Sequence, residues 1–475
     1  IHPISLWSLH PQIIHFFNIF LYTSENIIST SFNLCVILNN MFFSKSTEWL
    51  NKITITHILL ISLVLHVLVI SHPPDQVGDE TIFLSITRNF LDGNDYSPYQ
   101  LPGLSIIAGL SMTVFGDNWF GWRFPSLIFG IFTLFLIFNL SKKFTNEKNA
   151  LFLTTIISFD YLFFTHSSLL LRDMPVIFFG MLALNLYFSK KYYLTALILG
   201  IAALIKETAL FFLIFIIIYH TLITKFFIIQ NVNFPKNHSK TSYFRKFKTS
   251  LLFSVILFSA FLFPLWIYDA IIQPDVYDQR YNYYIRTQNT ELEPISNVTN
   301  PISHLMEFLF NGYLYDSSQK NQFLKNTILP IGDSEIPITD GTERSTLRLY
   351  GKVSEITNIL KTEWTISYSN YPLWIFGFWS TIAFIAYNII SKQNIKQSLF
   401  LALGIISMFV PYIIISFSRV TFAYYFIYTI PFVMFGSILL LDSIKNPMIR
   451  IIAKTTLFCF SILSFVFLFP LKFIE

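Results

Sequence analysis

Four places along the chain carry residues whose types and neighbours can do chemistry at a membrane surface. Gly78-Asp79-Glu80 sets two adjacent carboxylates just beyond an apolar run, after His72-Pro73-Pro74. Such a pair can hold a base in place while a low local dielectric raises its proton affinity toward the range of general-base work; its plainer reading is a solvated acidic loop. Arg172-Asp173-Met174-Pro175 opens another apolar run with adjacent opposite charges. Charges there are costly unless partnered or working, and a structural ion pair fixing a helix end would also account for them. Lys206-Glu207 lies between Ala202-Ala203-Leu204-Ile205 and Thr208-Ala209-Leu210-Phe211. A lysine in that setting needs an anion, either a protein carboxylate such as Glu207 or Asp173 or the phosphate of a ligand. Arg123, in Trp-Arg-Phe-Pro-Ser, and Arg419, in Ser-Phe-Ser-Arg-Val-Thr-Phe-Ala-Tyr-Tyr, carry the guanidinium fork that suits phosphate oxygens. Each alone would also serve as an interfacial anchor.

The elements that must position these residues are apolar helices. Of 475 residues 53% are hydrophobic and only 12% charged, with 54 phenylalanines, more apolar surface than a soluble fold buries. The apolar residues fall in runs of about 17 to 22, the length that carries a helix across the hydrocarbon core. Spans are expected at 54–71, 123–140, 149–167, 173–189, 192–205, 208–224, 250–268, 373–390, 397–416, 421–441 and 451–470, about eleven crossings of an all-α polytopic bundle. Residues 1–53 form an N-terminal segment that opens without methionine; it reads either as sequence ahead of a start at Met41 or as an extra helix. Cys35 and Cys459 give neither a disulfide framework nor a metal-ligand spacing. No phosphate-cradling glycine motif is present, so ATP-driven transport is disfavoured, and no nucleic-acid partner is expected.

Charge sets the orientation. The stretch 101–115 is apolar but short and glycine-containing. If it lies at the interface without crossing, Lys142/Lys143/Lys148, Lys190/Lys191, the basic 225–249 loop, Lys392/Lys396 and Lys445/Arg450/Lys454 all share the cytoplasmic side. The segments 72–122 and 269–372 then lie outside, the second as a polar, aromatic-rich extracytoplasmic loop domain ahead of C-terminal membrane helices over 373–475. Asp79, Asp173, Lys206, Arg123 and Arg419 gather on that same outer face, as a lipid-phosphate substrate held by cations beside a carboxylate base would require. A transporter or lipid flippase is the alternative; it predicts inverted halves and charges at the bilayer midplane, and the sequence shows neither.

The order of these motifs resembles a known family. A first span, Asp-Glu in the first outer loop, Gly116 with Arg123, Pro125 and Ser126, then Arg-Asp-Met-Pro-x-x-Phe-Phe over 172–179 and Gly200 with Lys206 are similar to the protein O-mannosyltransferase and aminoarabinose-transferase group of GT-C glycosyltransferases. The match is best over 54–225, within a conserved transmembrane module over 54–268. The resemblance implies an inverting transfer of a sugar from a polyprenyl- or dolichyl-phosphate carrier to a hydroxyl of a protein, lipid or glycan, at a site facing outside, in a plasma membrane. It implies Asp79 as general base beside Glu80, and Lys206, Arg419 and Arg123 as ligands of the carrier phosphate. Asp173 matches a second acidic position that supports the site geometry. No cofactor is required, although two acids facing a phosphate could hold a divalent metal. One departure stands out: where the family has His- or Lys-Pro-Pro-Leu after the acidic pair, this chain has Tyr99-Gln100-Leu101-Pro102-Gly103, which leaves the acceptor open.

Overall fold

Apolar runs placed in lipid must satisfy every backbone N–H and C=O within themselves, which leaves the helix as the element for these sequences. A computed structural model describes residues 53–71, 76, 79–93, 101–230, 371–416 and 423–468, and within them the regular elements are all helical. The expected 250–268 span, the basic loop beyond residue 230, nearly all of the 269–372 domain, Met41 and Arg419 lie outside the described residues. The chain divides into the units Ile1–His57 and Ile58–Glu475. In the first, Thr54 Oγ1 and His57 Nδ1 share a hydrogen bond of 2.8 Å.

Helix α1 (Ile55–Val69), which enters the second unit at Ile58, is followed by α2 (Asp79–Leu91), whose buried residues Glu80, Phe83, Leu84 and Thr87 form one helical stripe at i, i+3, i+4 and i+7. Helices α3 (Gly103–Phe115) and α4 (Trp119–Ser141) come next, α4 capped by Asn118, whose side chain accepts from the N–H groups of Phe120 and Gly121. Helices α5 (Glu147–Ser158) and α6 (Tyr161–Ser168) form one apolar stretch bent by 66°. Then come α7 (Asp173–Phe188), α8 (Tyr192–Ala203) and α9 (Ala209–Gln230). The C-terminal part contributes α10 (Tyr371–Ser391), α11 (Ile395–Met408), α12 (Val410–Ser416), a 3-10 segment over Ala423–Tyr428, α13 (Ile430–Asp442) and α14 (Pro447–Leu468). Some buried hydroxyls inside these helices donate to their own backbone, as Thr133 does to Phe129 O at 2.7 Å and Thr154 to Ala150 O at 2.9 Å.

Among the described residues four segments are long and apolar enough to cross a membrane: Trp119–Ser141, Leu373–Ser391, Ile395–Ile413 and Pro447–Val466. The bent α5–α6 pair makes a fifth. The eleven crossings expected from hydropathy are therefore not confirmed as a number. Helices such as α1 and α8 are apolar, but their 15 and 12 residues rise only about 22 and 18 Å at roughly 1.5 Å per residue.

Among the described residues, Lys143 and Lys454 lie at one end of the bundle. Lys143 Nζ reaches Ser189 Oγ, Gln397 donates to Phe144 O at 2.8 Å, and Lys454 Nζ bridges Asn149 Oδ1 and Asp442 Oδ1 at 2.8 and 3.0 Å. The opposite end ties α1, α2, α4, α7 and α8 together, and α3 both starts and finishes there. At its start Gly103 N donates to Leu204 O at 2.8 Å, and a Cβ on Gly103 would stand 2.7 Å from that same oxygen. At its finish Gly121, in the first turn of α4, approaches Gly116 O so closely that a Cβ would fall 2.1 Å from it. Both ends of α3 are thus fixed at this end of the bundle, and Ile106, Leu110 and Val114 lie exposed along it.

Candidate active site

The end of the bundle away from Lys143 and Lys454 holds two buried ion pairs. In the first, Arg123, on the second turn of α4, is fully buried. Its Nε and Nη2 donate to the two oxygens of Glu80 at 2.9 and 2.8 Å, and Nη1 donates to Ile70 O at 3.2 Å. Glu80 Oε1 also accepts from Leu170 N at 3.0 Å. One carboxylate thus fastens α2 to α4 and to the turn before α7. The structure thus gives Arg123, expected as a ligand of the carrier phosphate, a protein carboxylate as its partner, and holds Glu80, expected beside the base, in a bidentate fork away from solvent.

The second pair is Asp173 and Lys206. Asp173 opens α7, where its charge is favoured by the helix N-terminus, and its Oδ1 lies 2.5 Å from Lys206 Nζ. Tyr428 donates to the same oxygen at 2.7 Å, and Tyr428 OH in turn accepts from Thr208 Oγ1 at 2.9 Å. His166 Nδ1, on α6, is 4.0 Å from Asp173 Oδ2. Lys206 Nζ also sits over the rings of Tyr425 and Tyr428, at 5.2 and 5.9 Å from their centres, where the ring faces stabilise a cation. Lys206 thus meets Asp173 as its protein carboxylate.

Asp79 is the first residue of α2, exposed, and next in sequence to the buried Glu80. The contact of Glu80 with Leu170 brings the α2 N-terminus to the turn that leads into Asp173. Arg172 is not the partner of its neighbour Asp173. Its guanidinium lies over the Phe83 ring at 5.1 Å, one helical turn along α2 from Asp79, and its buried Nε has no hydrogen-bond acceptor among the described residues. No group of three His, Cys, Asp or Glu side chains comes together among the described residues.

Tyr428, His166 and Thr208 were not singled out by sequence reasoning. Tyr425 stood inside the quoted Phe-Ala-Tyr-Tyr run, and the nearness of that run to Arg419 was the available signal for its neighbour Tyr428. His166 and Thr208 gave none, since a histidine or threonine within an apolar run reads as an ordinary core residue.

Residues 98–267 match the family model described as dolichyl-phosphate-mannose-protein mannosyltransferase. No curated protein sequence matches the chain. Among solved structures, the chain is similar to the S. cerevisiae protein O-mannosyltransferase Pmt1-Pmt2 complex bound to the sugar donor, at 18% identity over 45% of this chain and 33% of that one, with a TM-score of 0.38. ArnT from Cupriavidus metallidurans in the apo state is similar at 12% identity over 82% and 60%, TM-score 0.46. The apo oligosaccharyltransferase of Archaeoglobus fulgidus is similar at 12% over 89% and 56%, TM-score 0.48. The chain thus spans between a third and about three fifths of the length of these structures. The family match is confined to residues 98–267, and it agrees with the resemblance of the chain's motifs to the GT-C glycosyltransferases.

Proposed function

We propose that the protein transfers a sugar from a polyprenyl- or dolichyl-phosphate carrier to a hydroxyl acceptor on the extracytoplasmic face of the membrane, with inversion and with Asp79 as general base. The observation that carries this reading is the grouping of Asp173, Lys206 and Tyr428 at the end of the bundle where α2 presents Asp79, opposite the lysine-bearing end. Lysine-rich loops mark a cytoplasmic side, so the charged cluster faces outward, and the plasma membrane fits that orientation.

In the reaction Asp79 takes the proton of the acceptor hydroxyl, the freed oxygen attacks the anomeric carbon, and the bond from that carbon to the phosphate oxygen breaks. The departing carrier phosphate gains negative charge. A lysine ammonium has three protons; Asp173 takes one, which leaves donors for phosphate oxygens, and the tyrosine rings keep the ammonium in place. Arg172 supplies a second cation one turn from Asp79. Cations near the leaving oxygens stabilise the transition state more than the ground state, so the phosphate departs without a proton donor. Arg123 and Glu80 act as the clamp that sets α2 against α7, and Arg419 is a further phosphate ligand in this reading. Protein, lipid and glycan hydroxyls all remain candidate acceptors.

The test is sugar transfer by the purified protein in nanodiscs, from lipid-phosphate donors of several sugars. Asp79→Asn keeps shape and removes the base, so transfer should fall by about two to four orders of magnitude while carrier binding persists. Near-normal turnover of a folded Asp79→Asn variant would remove Asp79 from the mechanism. Movement of an intact lipid-linked sugar across the bilayer, with no transfer, would favour the flippase alternative.

A further inference from the structure

Asp160 is a buried carboxyl that the transfer chemistry does not use. It stands at the 66° break between α5 and α6, and its two oxygens face two different donors. Oδ1 accepts from Phe163 N at 3.0 Å and caps α6. Oδ2 accepts from the indole N–H of Trp374, on α10, at 2.8 Å. Capping alone is served as well by serine or asparagine, without burying an acid. The second oxygen is the informative one, because it reaches across to the C-terminal helices, 214 residues away.

Trp374 is fully buried, and its ring packs on Phe426 with centres 5.0 Å apart. Phe426 belongs to the 3-10 segment that carries Tyr425 and Tyr428. Those two rings flank Lys206, and Tyr428 bonds Asp173. On the other side of the break, α6 carries His166 to within 4.0 Å of Asp173. One side chain therefore joins the two elements that meet Asp173 from opposite halves of the chain.

We infer that Asp160 is a positioning residue: through Trp374 it holds the aromatic 3-10 segment of the C-terminal half in register against the Asp173–Lys206 pair. The inference rests on the reading of that pair as part of the sugar-transfer site. Its geometric content, the link from α6 through α10 to the 3-10 segment, is open to measurement without any transfer assay.

Trp374→Phe removes the indole donor and keeps a ring against Phe426. Asp160→Asn turns one acceptor into a donor that opposes an N–H. Two readouts decide. In hydrogen exchange of the full-length protein in nanodiscs, Trp374→Phe should speed exchange of the backbone amides over 423–430, with the thermal midpoint still showing a folded protein. In transfer assays it should lower kcat roughly tenfold, the scale of a small misplacement of reacting groups, and should have little further effect in a Tyr428→Phe background. Unchanged exchange over 423–430 in folded Trp374→Phe would overturn the link. Fully additive losses from Trp374→Phe and Tyr428→Phe would overturn its route through Tyr428. A wild-type protein that transfers no sugar from any lipid phosphate would count against the functional reading of the site, while the exchange result would still decide the link.

Discussion

Asp173 Oδ1 receives both the Lys206 ammonium and the Tyr428 hydroxyl, so the oxygen is shared between a charge and a neutral donor. Removing the charge has two separable consequences. Lys206→Ala strands a buried carboxylate and should cost about 3–5 kcal/mol of stability, read as a fall in the thermal midpoint. It should also raise the KM for the carrier and lower kcat together, because the lost cation serves the phosphate before and during its departure. Lys206→Arg, which keeps a charge, should recover part of both. Arg172→Ala should leave the fold nearly intact, since its guanidinium rests only on the Phe83 ring among the described residues, while transfer falls. A purely structural Arg172 would show the reverse: a lower midpoint and unchanged kinetics. That Asp173 and Lys206 would need partners was legible in the sequence, because charges in apolar runs are too costly to stand alone. Which cation meets which carboxylate was not. Arg123 is 43 residues from Glu80, and Tyr428 is 255 from Asp173, distances over which a linear reading sees residue types and no partners.

Among the elements, α2 shows how little and how much an ion pair can hold. At its buried face Glu80 grips Arg123 with both side chains fully shielded; at its far end Arg88 grips Asp117 at 2.8 and 3.0 Å with side chains 38% and 48% exposed. Glu80→Gln leaves a buried guanidinium without its counter-charge and should cost about 3–5 kcal/mol. Asp117→Asn should cost no more than about 1 kcal/mol, because water screens the pair. The Arg88 fork, aided by the Trp122 indole N–H, holds the Asp117 carboxyl below the usual carboxylate range despite partial burial. A lowered folded pKa stabilises above the ordinary carboxylate pKa, and that contribution is lost as pH falls through the lowered value. The midpoints of wild type and Asp117→Asn should therefore differ by a small constant amount near neutrality and converge in strong acid, in a pH series of thermal unfolding. Hydropathy marked α3 as an apolar stretch too short to place with certainty on either side of a crossing. The glycine contacts at Gly103 and Gly121 hold both of its ends at one end of the bundle, and a close backbone approach of that kind leaves no signature in hydropathy.

For the molecule as a whole, the lysine loops and the candidate site occupy opposite ends of one bundle, so a reporter at each should be reached from opposite sides of the membrane. Single cysteines at Lys143 and at Glu207, in a background with Cys35 and Cys459 replaced, should be labelled by an impermeant maleimide only from the cytoplasmic and the outer side respectively. Labelling of both from one side would dismantle the orientation. The helical bundle was readable from composition, whereas the number of crossings was not, because several apolar helices are shorter than the runs that encode them. The shared oxygen of Asp173 also bears on biosynthesis. Its partners arrive at very different times: Lys206 follows Asp173 out of the ribosome after 33 residues, Tyr428 after 255. Asp173 can therefore gain its counter-charge from Lys206 long before the C-terminal half has been made. The aromatic wall is added only near the end of synthesis, which keeps the site unfinished until most of the protein has been made.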